Sequence, residues 1–214
     1  MSRPVGSVGA ETRVRIIREA EHLFAERGFE GARMEELARR TGVNKAAIYH
    51  YFRGKEAILE ELIAGFLAGS RDSKTELLLA LLRDDDEALD SAVKALLDYL
   101  GTHRDLLAVI VSEATKSGTP GNTALFRYVQ ASLDDALEII RGQDPTHPVL
   151  KRRDTEGDRL LSEALFGLFL PILMYAVLGE AWSGHRGVPS RRTREWFIGS
   201  YRQRLRSTLS GMFE

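Results

Sequence analysis

Apolar side chains recur three or four residues apart along almost the whole of this 214-residue chain. That spacing places them on one face of an α-helix, whereas a half-buried strand needs strict alternation of apolar and polar residues. Long alternating runs of β-branched and aromatic residues do not occur in the sequence. The chain is therefore predicted to be all-α.

Glycines divide the pattern into helices. Gly28, Gly42 and Gly54 each follow an amphipathic stretch and are typical of helix C-termini. The predicted helices cover 11–27, 34–41, 45–52, a long stretch from Lys55, 86–101, 104–117, 123–141, 154–182 and 191–212. Connectors rich in Gly, Pro and Ser separate the later ones.

Composition excludes several classes of protein. There is no cysteine, so a disulfide framework, a thiolate metal site and a cysteine nucleophile are excluded. No nucleophile–base pair, phosphate-binding glycine loop or metal-ligand cluster stands out, so we expect no enzyme, no metal and no cofactor.

Charge is unevenly distributed, although 30 basic and 31 acidic residues leave a net charge of only -1. Residues 37–55 hold five basic side chains and no acidic one, whereas 61–101 hold nine acidic and four basic. This division predicts a small anion-facing module followed by a larger, different domain.

The most apolar stretch, 164–178, has fifteen residues without a charge, whereas a membrane-spanning helix needs about 20. It also contains Pro171, so we interpret it as a buried helix of a soluble protein. The N-terminus lacks the apolar run of a secretory signal. A cytoplasmic protein without a membrane partner is expected.

The segment 34–52 has the pattern of a helix, a tight glycine turn and a second helix, the arrangement that places a helix in the DNA major groove. Ala46 and Ala47 are small enough for close approach to a duplex. Asn44 is a good N-cap for the second helix. Geometry alone leaves open an ordinary helical bundle, with Tyr49 and Tyr51 as core aromatics.

The residues themselves are more specific. Residues 42–55 read Gly-Val-x-Lys-x-x-Ile-Tyr-x-Tyr-Phe-x-x-Lys, and the stretch 29–59 closely resembles the DNA-binding domain of the TetR family of bacterial transcriptional regulators. The resemblance covers about 11–62. It implies a helix-turn-helix DNA-binding domain at 1–54 and a helical ligand-binding and dimerisation domain at 55–214, where the match is only in length and helical character.

The resemblance also implies roles for single residues. Tyr49 would reach a base edge or sugar-phosphate, Lys55 would anchor the DNA backbone, and Ile48 and Phe52 would be core. The predicted DNA-binding residues are Arg33, Asn44, Lys45, Ala46, Ala47, Tyr49, His50, Tyr51 and Lys55.

Two positions depart from the family pattern. Ala32 and Arg33 stand where a capping Thr or Ser is usual, which loses the cap, although Arg33 could contact phosphate by charge. Ala46 and Ala47 stand where Gly and Thr or Ser are frequent. Base readout should therefore depend on Lys45 and Tyr49.

A pair of protomers is expected, because operators are read by symmetric modules about 34–36 Å apart. The resemblance places the interface on the last two helices. Its predicted residues are Leu161, Leu165, Leu168, Ile172, Trp196, Phe197, Tyr201 and Leu205. The alternative is a larger core within one protomer.

The resemblance further implies a cavity for a small effector that displaces the fourth helix and weakens operator binding. The candidate lining residues are Phe66, Val109, Glu113, Phe126, Tyr128, Phe169, Met174 and Tyr175. Each is also a plausible core residue. Glu113 could meet a cationic or hydrogen-bonding ligand, or be a surface residue paired with Lys116 or Arg104.

These observations predict a ligand-responsive repressor that binds a palindromic DNA operator as a homodimer and is released by a small apolar or amphipathic effector. The alternative is a helical sensor or partner-binding protein without operator binding. The sequence leaves open the operator, the identity of the effector, and activation as the mode of control.

Overall fold

The computed structural model describes residues 5–116, 124–147, 150, 159 and 162–213, and these residues form helices without any strand. The helices are α1 (Val5–Gly31), α2 (Met34–Thr41), α3 (Lys45–Tyr51), α4 (Lys55–Gly69), α5 (Arg71–Leu82), α6 (Asp86–Thr102), α7 (Arg104–Lys116), α8 (Ala124–Gln143), α9 (Leu170–Arg186) and α10 (Ser190–Phe213). A π-helical segment, Ala164–Phe169, runs directly into α9. The predicted all-α class is confirmed.

Two compact units make up the chain. The first comprises the residues up to Phe66 together with Asp105–Phe126, and the second comprises Leu67–Arg104 and the residues from Arg127 onward. The predicted division at residues 54 and 55 is a different kind of boundary, between proposed functions, and stays a prediction.

The first unit is built around the apolar face of α1. Ile16, Ala20, Leu23 and Phe24 on this face are buried, whereas Val14, which the spacing also predicts on it, is 66% exposed. Gly28 has φ 69° and ψ 161°, which lies outside the helical region. The regular part of α1 therefore ends at Gly28, as predicted, and the three residues after it form a separate turn. Phe29 then packs edge-on against Phe24, with ring centroids 5.2 Å apart.

In the second unit, arginines of α10 pair with aspartates of α6 along the two helices. The pairs are Arg194 with Asp98 at 2.7 Å, Arg202 with Asp90 at 3.1 Å and Arg206 with Asp86 at 2.7 Å. Hydrogen bonds that Arg206 donates to the carboxylates of Asp84 and Asp86 raise its pKa. The pairs fix the register of α10 on α6.

The π-helical segment has a local cause. Pro171 lacks an N–H group and its ring would clash with the carbonyl four residues earlier in a regular α-helix. The π-helix, with its wider i→i+5 turns, ends at Phe169, so Pro171 lies in the first turn of α9. The N–H groups of a first turn have no partner within the helix, so the missing N–H of proline costs little there. The helix therefore changes type immediately before Pro171.

Together, Ala164–Arg186 form the one helix in the described residues that is long and apolar enough to cross a membrane, by length and composition alone. Only 28% of its most apolar window is buried in the protomer. The predicted buried helix is thus wrong for the protomer, since other helices cover only part of its circumference.

Candidate nucleic-acid interface

The turn between α2 and α3 is closed by backbone hydrogen bonds. Gly42 adopts a left-handed conformation, with φ 64° and ψ 21°, in which a residue with a side chain would be strained. The amide N–H groups of Gly42 and Val43 both donate to the carbonyl of Ala38. Thr41 is buried and donates its hydroxyl to the carbonyl of Leu37 at 2.8 Å. The turn therefore holds α3 at a fixed angle to α2.

The two helix N-termini differ as the sequence predicts. The side chain of Asn44 accepts a hydrogen bond of 2.7 Å from the Ala47 amide and caps α3. Arg33 occupies the N-cap of α2 and makes no capping hydrogen bond with its side chain. The lost cap of α2 is confirmed, and costs about 1 kcal/mol. Arg33 itself is exposed.

The inner side of α3 belongs to the core of the first unit. Ile48 is fully buried and Phe52, its C-cap, is nearly so. Their burial confirms their predicted core role. It also fixes which side of α3 is turned outward, because helix positions one and two residues away from Ile48 then lie roughly 100° or more around the helix from it.

The outer side of α3 carries the predicted DNA contacts. Lys45, Ala46, Tyr49 and His50 are exposed. Tyr49 keeps 46% of its surface accessible, so the alternative of a core aromatic is wrong for this residue. Ala47 and Tyr51 are partly covered, and the Tyr51 ring packs edge-on against His50 at 5.5 Å between centroids.

The basic residues of 37–55 are mostly paired with carboxylates from outside that stretch. Arg40 bonds Glu26 at 2.6 Å and Glu36 at 3.0 Å, and Arg39 bonds Glu36 at 2.6 Å. These two arginines lower the pKa of Glu36 to about 2. The run of positive charge in the sequence is therefore neutralised over much of its length in the folded chain.

Two lysines complete this pairing. Lys45 on α3 bonds Glu35 in the first turn of α2. Lys55 donates to the carbonyl of Phe29 at 3.0 Å and to the Glu30 carboxylate at 3.2 Å, and its ammonium lies 4.5 Å from the Phe29 ring centroid. Here Lys55 stabilises the turn after α1, and its predicted contact with DNA backbone stays a prediction.

A link from α1 reaches both α4 and the end of α3. Arg13 bonds both carboxylate oxygens of Glu61 on α4. The same guanidinium lies 5.2 Å from the centroid of the Phe52 ring. No periodicity in the sequence could reveal these contacts, since they join residues far apart along the chain.

The predicted effector-binding residues are divided between the two units. Phe66, Val109, Glu113 and Phe126 belong to the first unit, where Phe66 and Val109 are buried. Phe169, Met174 and Tyr175 belong to the second and are partly covered. The side chain of Tyr128 lies outside the described residues. Tyr175 stacks on Phe197 at 4.1 Å between ring centroids, which joins one predicted pocket residue to a predicted interface residue.

The predicted interface residues fall into two groups. Ile172, Tyr201 and Leu205 are buried within the protomer. Trp196 is 55% exposed, and Leu165, Leu168 and Phe197 are partly covered. Leu161 lies outside the described residues.

An open groove of 520 Å³ in the second unit is lined by Arg159, Glu163, Phe166, Gly167, Ser207 and Thr208. These six are outside both predicted sets.

Within the described residues, no group of three or more His, Asp or Glu side chains is placed to hold a metal ion. The arrangement that the first unit does present is a rigid pair of helices with one exposed helix face. It defines a helix-turn-helix protein of the kind that binds nucleic acid.

Comparison with known proteins identifies the family. The family described as "Bacterial regulatory proteins, tetR family" matches residues 16–62. The HTH-type transcriptional regulator TtgW of Pseudomonas putida, whose function is uncharacterised, is 32% identical over 66% of this chain and 100% of its own length. The chain therefore belongs to the TetR family, which consists of transcriptional regulators and not of enzymes.

Other similarities are partial in length or in identity. YttP of Bacillus subtilis, named as a probable HTH-type transcriptional regulator, is 33% identical over 50% of this chain. The chain spans about half the length of the first curated relatives, 53% in the case of YttP. Among solved structures, the Thermus thermophilus TetR-family repressor FadR, in complex with lauroyl-CoA, is 25% identical, covers 94% of this chain and 95% of its own, and superposes with a TM-score of 0.55.

Proposed function

We propose that this chain is a repressor that binds a palindromic DNA operator as a homodimer and releases it when a small apolar or amphipathic effector binds. The observation that carries the proposal is the orientation of α3. Ile48 and Phe52 hold one side of it in the core, so that Lys45, Ala46 and Tyr49 face outward together. We propose 1–54 as the DNA-binding domain, 55–214 as the effector and dimer domain, and the cytoplasm as the location.

The outward face of α3 has the chemistry of a major-groove reader. The methyl side chains of Ala46 and Ala47 let the helix backbone approach base edges closely, and can contact a thymine methyl. Lys45 can donate to guanine acceptors, and the Tyr49 hydroxyl can donate to a base or a phosphate. The exposed Arg33 supplies a positive charge beside them.

The second unit supports pairing of two protomers. Large apolar side chains are exposed there, including Trp182 at 58% and Trp196 at 55%, with Phe166 and Leu178. Exposed aromatic and aliphatic residues at this density favour burial against a partner. A symmetric dimer would present two copies of α3, which a palindromic operator requires.

The effector proposal has a separate basis. FadR, similar to this chain over almost its whole length, holds lauroyl-CoA, which is an amphipathic acyl compound. The predicted pocket residues here are apolar and aromatic, with Glu113 as a polar exception. Release is a population shift, and each tenfold loss of operator affinity needs about 1.4 kcal/mol of preference for the non-binding state.

A second candidate function, a sensor that does not bind an operator, is favoured by one observation. Four of the five basic residues within 37–55 have carboxylate partners, which weakens the field that would attract DNA. Selection of duplexes from random sequence, followed by a salt titration of the best duplex, separates the two functions.

In that titration, a repressor binds saturably, and the logarithm of its affinity falls linearly with the logarithm of salt concentration. Lys45→Ala should weaken binding at least about fivefold, because it removes a base or phosphate contact. Lys94→Ala is the matched control, an exposed lysine on α6 in the second unit. A sensor would select no duplex, and equal effects of the two variants would place the reading surface elsewhere.

A further inference from the structure

One ion pair lies on the proposed reading face itself. The ammonium of Lys45, the first residue of α3, bonds the carboxylate of Glu35 on α2, and the two side chains are 49% and 64% exposed. The same ammonium lies 5.8 Å from the centroid of the Tyr49 ring. A negative charge is thus held among the groups that would meet DNA.

This pair differs from the pairs of Arg40 and Lys55 in how easily its cation can exchange one acceptor for another. Arg40 is held by two carboxylates and is only 19% exposed. Lys55 is held by a carbonyl as well as a carboxylate. Lys45, in contrast, is itself 49% exposed, and exposed pairs of this kind are weak enough to be replaced by another acceptor.

Both members of the pair are charged near neutral pH. The hydrogen bond with Lys45 lowers the pKa of Glu35, and the hydrogen bond with Glu35 raises the pKa of Lys45. A DNA acceptor must therefore displace a carboxylate to reach Lys45, and the displaced carboxylate then stands close to the polyanion.

We propose that Glu35 determines specificity by competing with DNA for Lys45. At most positions of a random duplex the acceptor within reach of Lys45 is a phosphate, which gives little more than the Glu35 carboxylate already provides. An operator offers a base acceptor in a fixed position, which repays the exchange. The pair therefore suppresses non-specific binding more than operator binding. This inference depends on the proposed function, since it assumes that α3 faces DNA.

The test uses the full-length Glu35→Gln variant, a labelled random-sequence duplex and the selected operator duplex. Affinity for the random duplex should rise about two- to fivefold, the range expected when one exposed pair is removed. The salt dependence should become steeper by up to about 0.9, equivalent to one added phosphate contact. Operator affinity should rise less, so that the ratio of the two affinities falls.

Glu36→Gln is the matched control, because it removes the same charge one residue further along α2, from a carboxylate that holds Arg39 and Arg40 instead of α3. It should leave the salt dependence unchanged. The gain from Glu35→Gln should also disappear in a Lys45→Met background.

The outcomes separate this inference from the proposed function. Equal gains for Glu35→Gln and Glu36→Gln, or a gain that persists with Lys45→Met, would show a general charge effect and overturn the inference alone. If wild-type protein bound neither duplex saturably, the proposed function would fail, and the inference with it.

Discussion

Replacing Lys55 tests how much its contacts with Phe29 stabilise the turn after α1. Its ammonium donates to the Phe29 carbonyl at 3.0 Å and lies 4.5 Å from the Phe29 ring centroid. The side chain is only 20% exposed. Lys55→Met keeps most of the apolar stem and removes the charged donor, so it isolates these contacts.

The expected cost can be worked out from those contacts. A hydrogen bond from a charged donor contributes about 1.5–3 kcal/mol, and a partly solvated cation–π contact about 0.5–1 kcal/mol. The bond to the carboxylate of Glu30 adds little, because that carboxylate is 70% exposed. Since water will replace part of the lost hydrogen bonding, we expect the free energy of unfolding of the first unit to fall by about 2 kcal/mol.

Hydrogen exchange measured by mass spectrometry gives the local readout. Amides of residues 29–41 should exchange about 30-fold faster in Lys55→Met, which corresponds to about 2 kcal/mol. Both tryptophans, Trp182 and Trp196, lie in the second unit, so their emission should be unchanged and serves as an internal reference. Lys45→Met, which removes only an exposed pair, should change exchange less than about threefold. Equal protection in wild type and Lys55→Met would refute the structural role.

Three further predictions follow from separate parts of the molecule. Tyr49→Ala should abolish operator binding in a mobility-shift assay while leaving the circular dichroism spectrum unchanged, and retained binding would remove Tyr49 from the reading face. Pairing lowers the pKa of Glu36 from 4.5 to about 2, so the stabilisation by this pair is complete above pH 4.5 and is lost as pH falls toward 2. In thermal melts over this pH window, Glu36→Gln should therefore lose less stability than wild type, and an equal loss in both proteins would contradict the pairing. Trp196→Glu should convert dimers to monomers in sedimentation experiments, whereas Leu82→Glu, at an exposed residue of α5, should not; a stable Trp196→Glu dimer would move the interface off this part of α10.

Local features of the fold were predictable because their causes are local. The resemblance to the family's short helix-turn-helix pattern placed Ile48 and Phe52 in the core, and the structure buries both. Gly28 and Gly42 end helices because both adopt positive φ. Asn44 caps α3 through a hydrogen bond to a residue three positions away. Such information is present in a short stretch of sequence.

The helix break between α4 and α5 and the change of helix type before Pro171 were not predictable in detail. The break between α4 and α5 follows Gly69 at Ser70, whose hydroxyl donates to the Leu67 carbonyl at 2.9 Å. A serine there gives no strong signal, so α5 was not predicted as a separate helix. The sequence likewise does not predict the π-helical segment before Pro171.

The sequence predicted the charge around α3 least well. A count along the sequence gives 37–55 five basic side chains and no acidic one. In the fold, however, Glu26 and Glu30 at the end of α1 pair with Arg40 and Lys55 and neutralise them. These partners are 14 and 25 residues away in sequence. Only the packing of helices brings them together, so charge counted along the chain overstates the field at α3.

Methylation protection of the selected operator with dimethyl sulfate tests the central claim most directly, because the reagent modifies guanine N7 in the major groove. If two copies of α3 read the duplex, guanines should be protected in two half-sites about 34–36 Å apart, or a multiple of that distance. Tyr49→Ala should remove both protections together. Protection confined to adenine N3 in the minor groove, or a single protected site without a symmetric partner, would contradict the account.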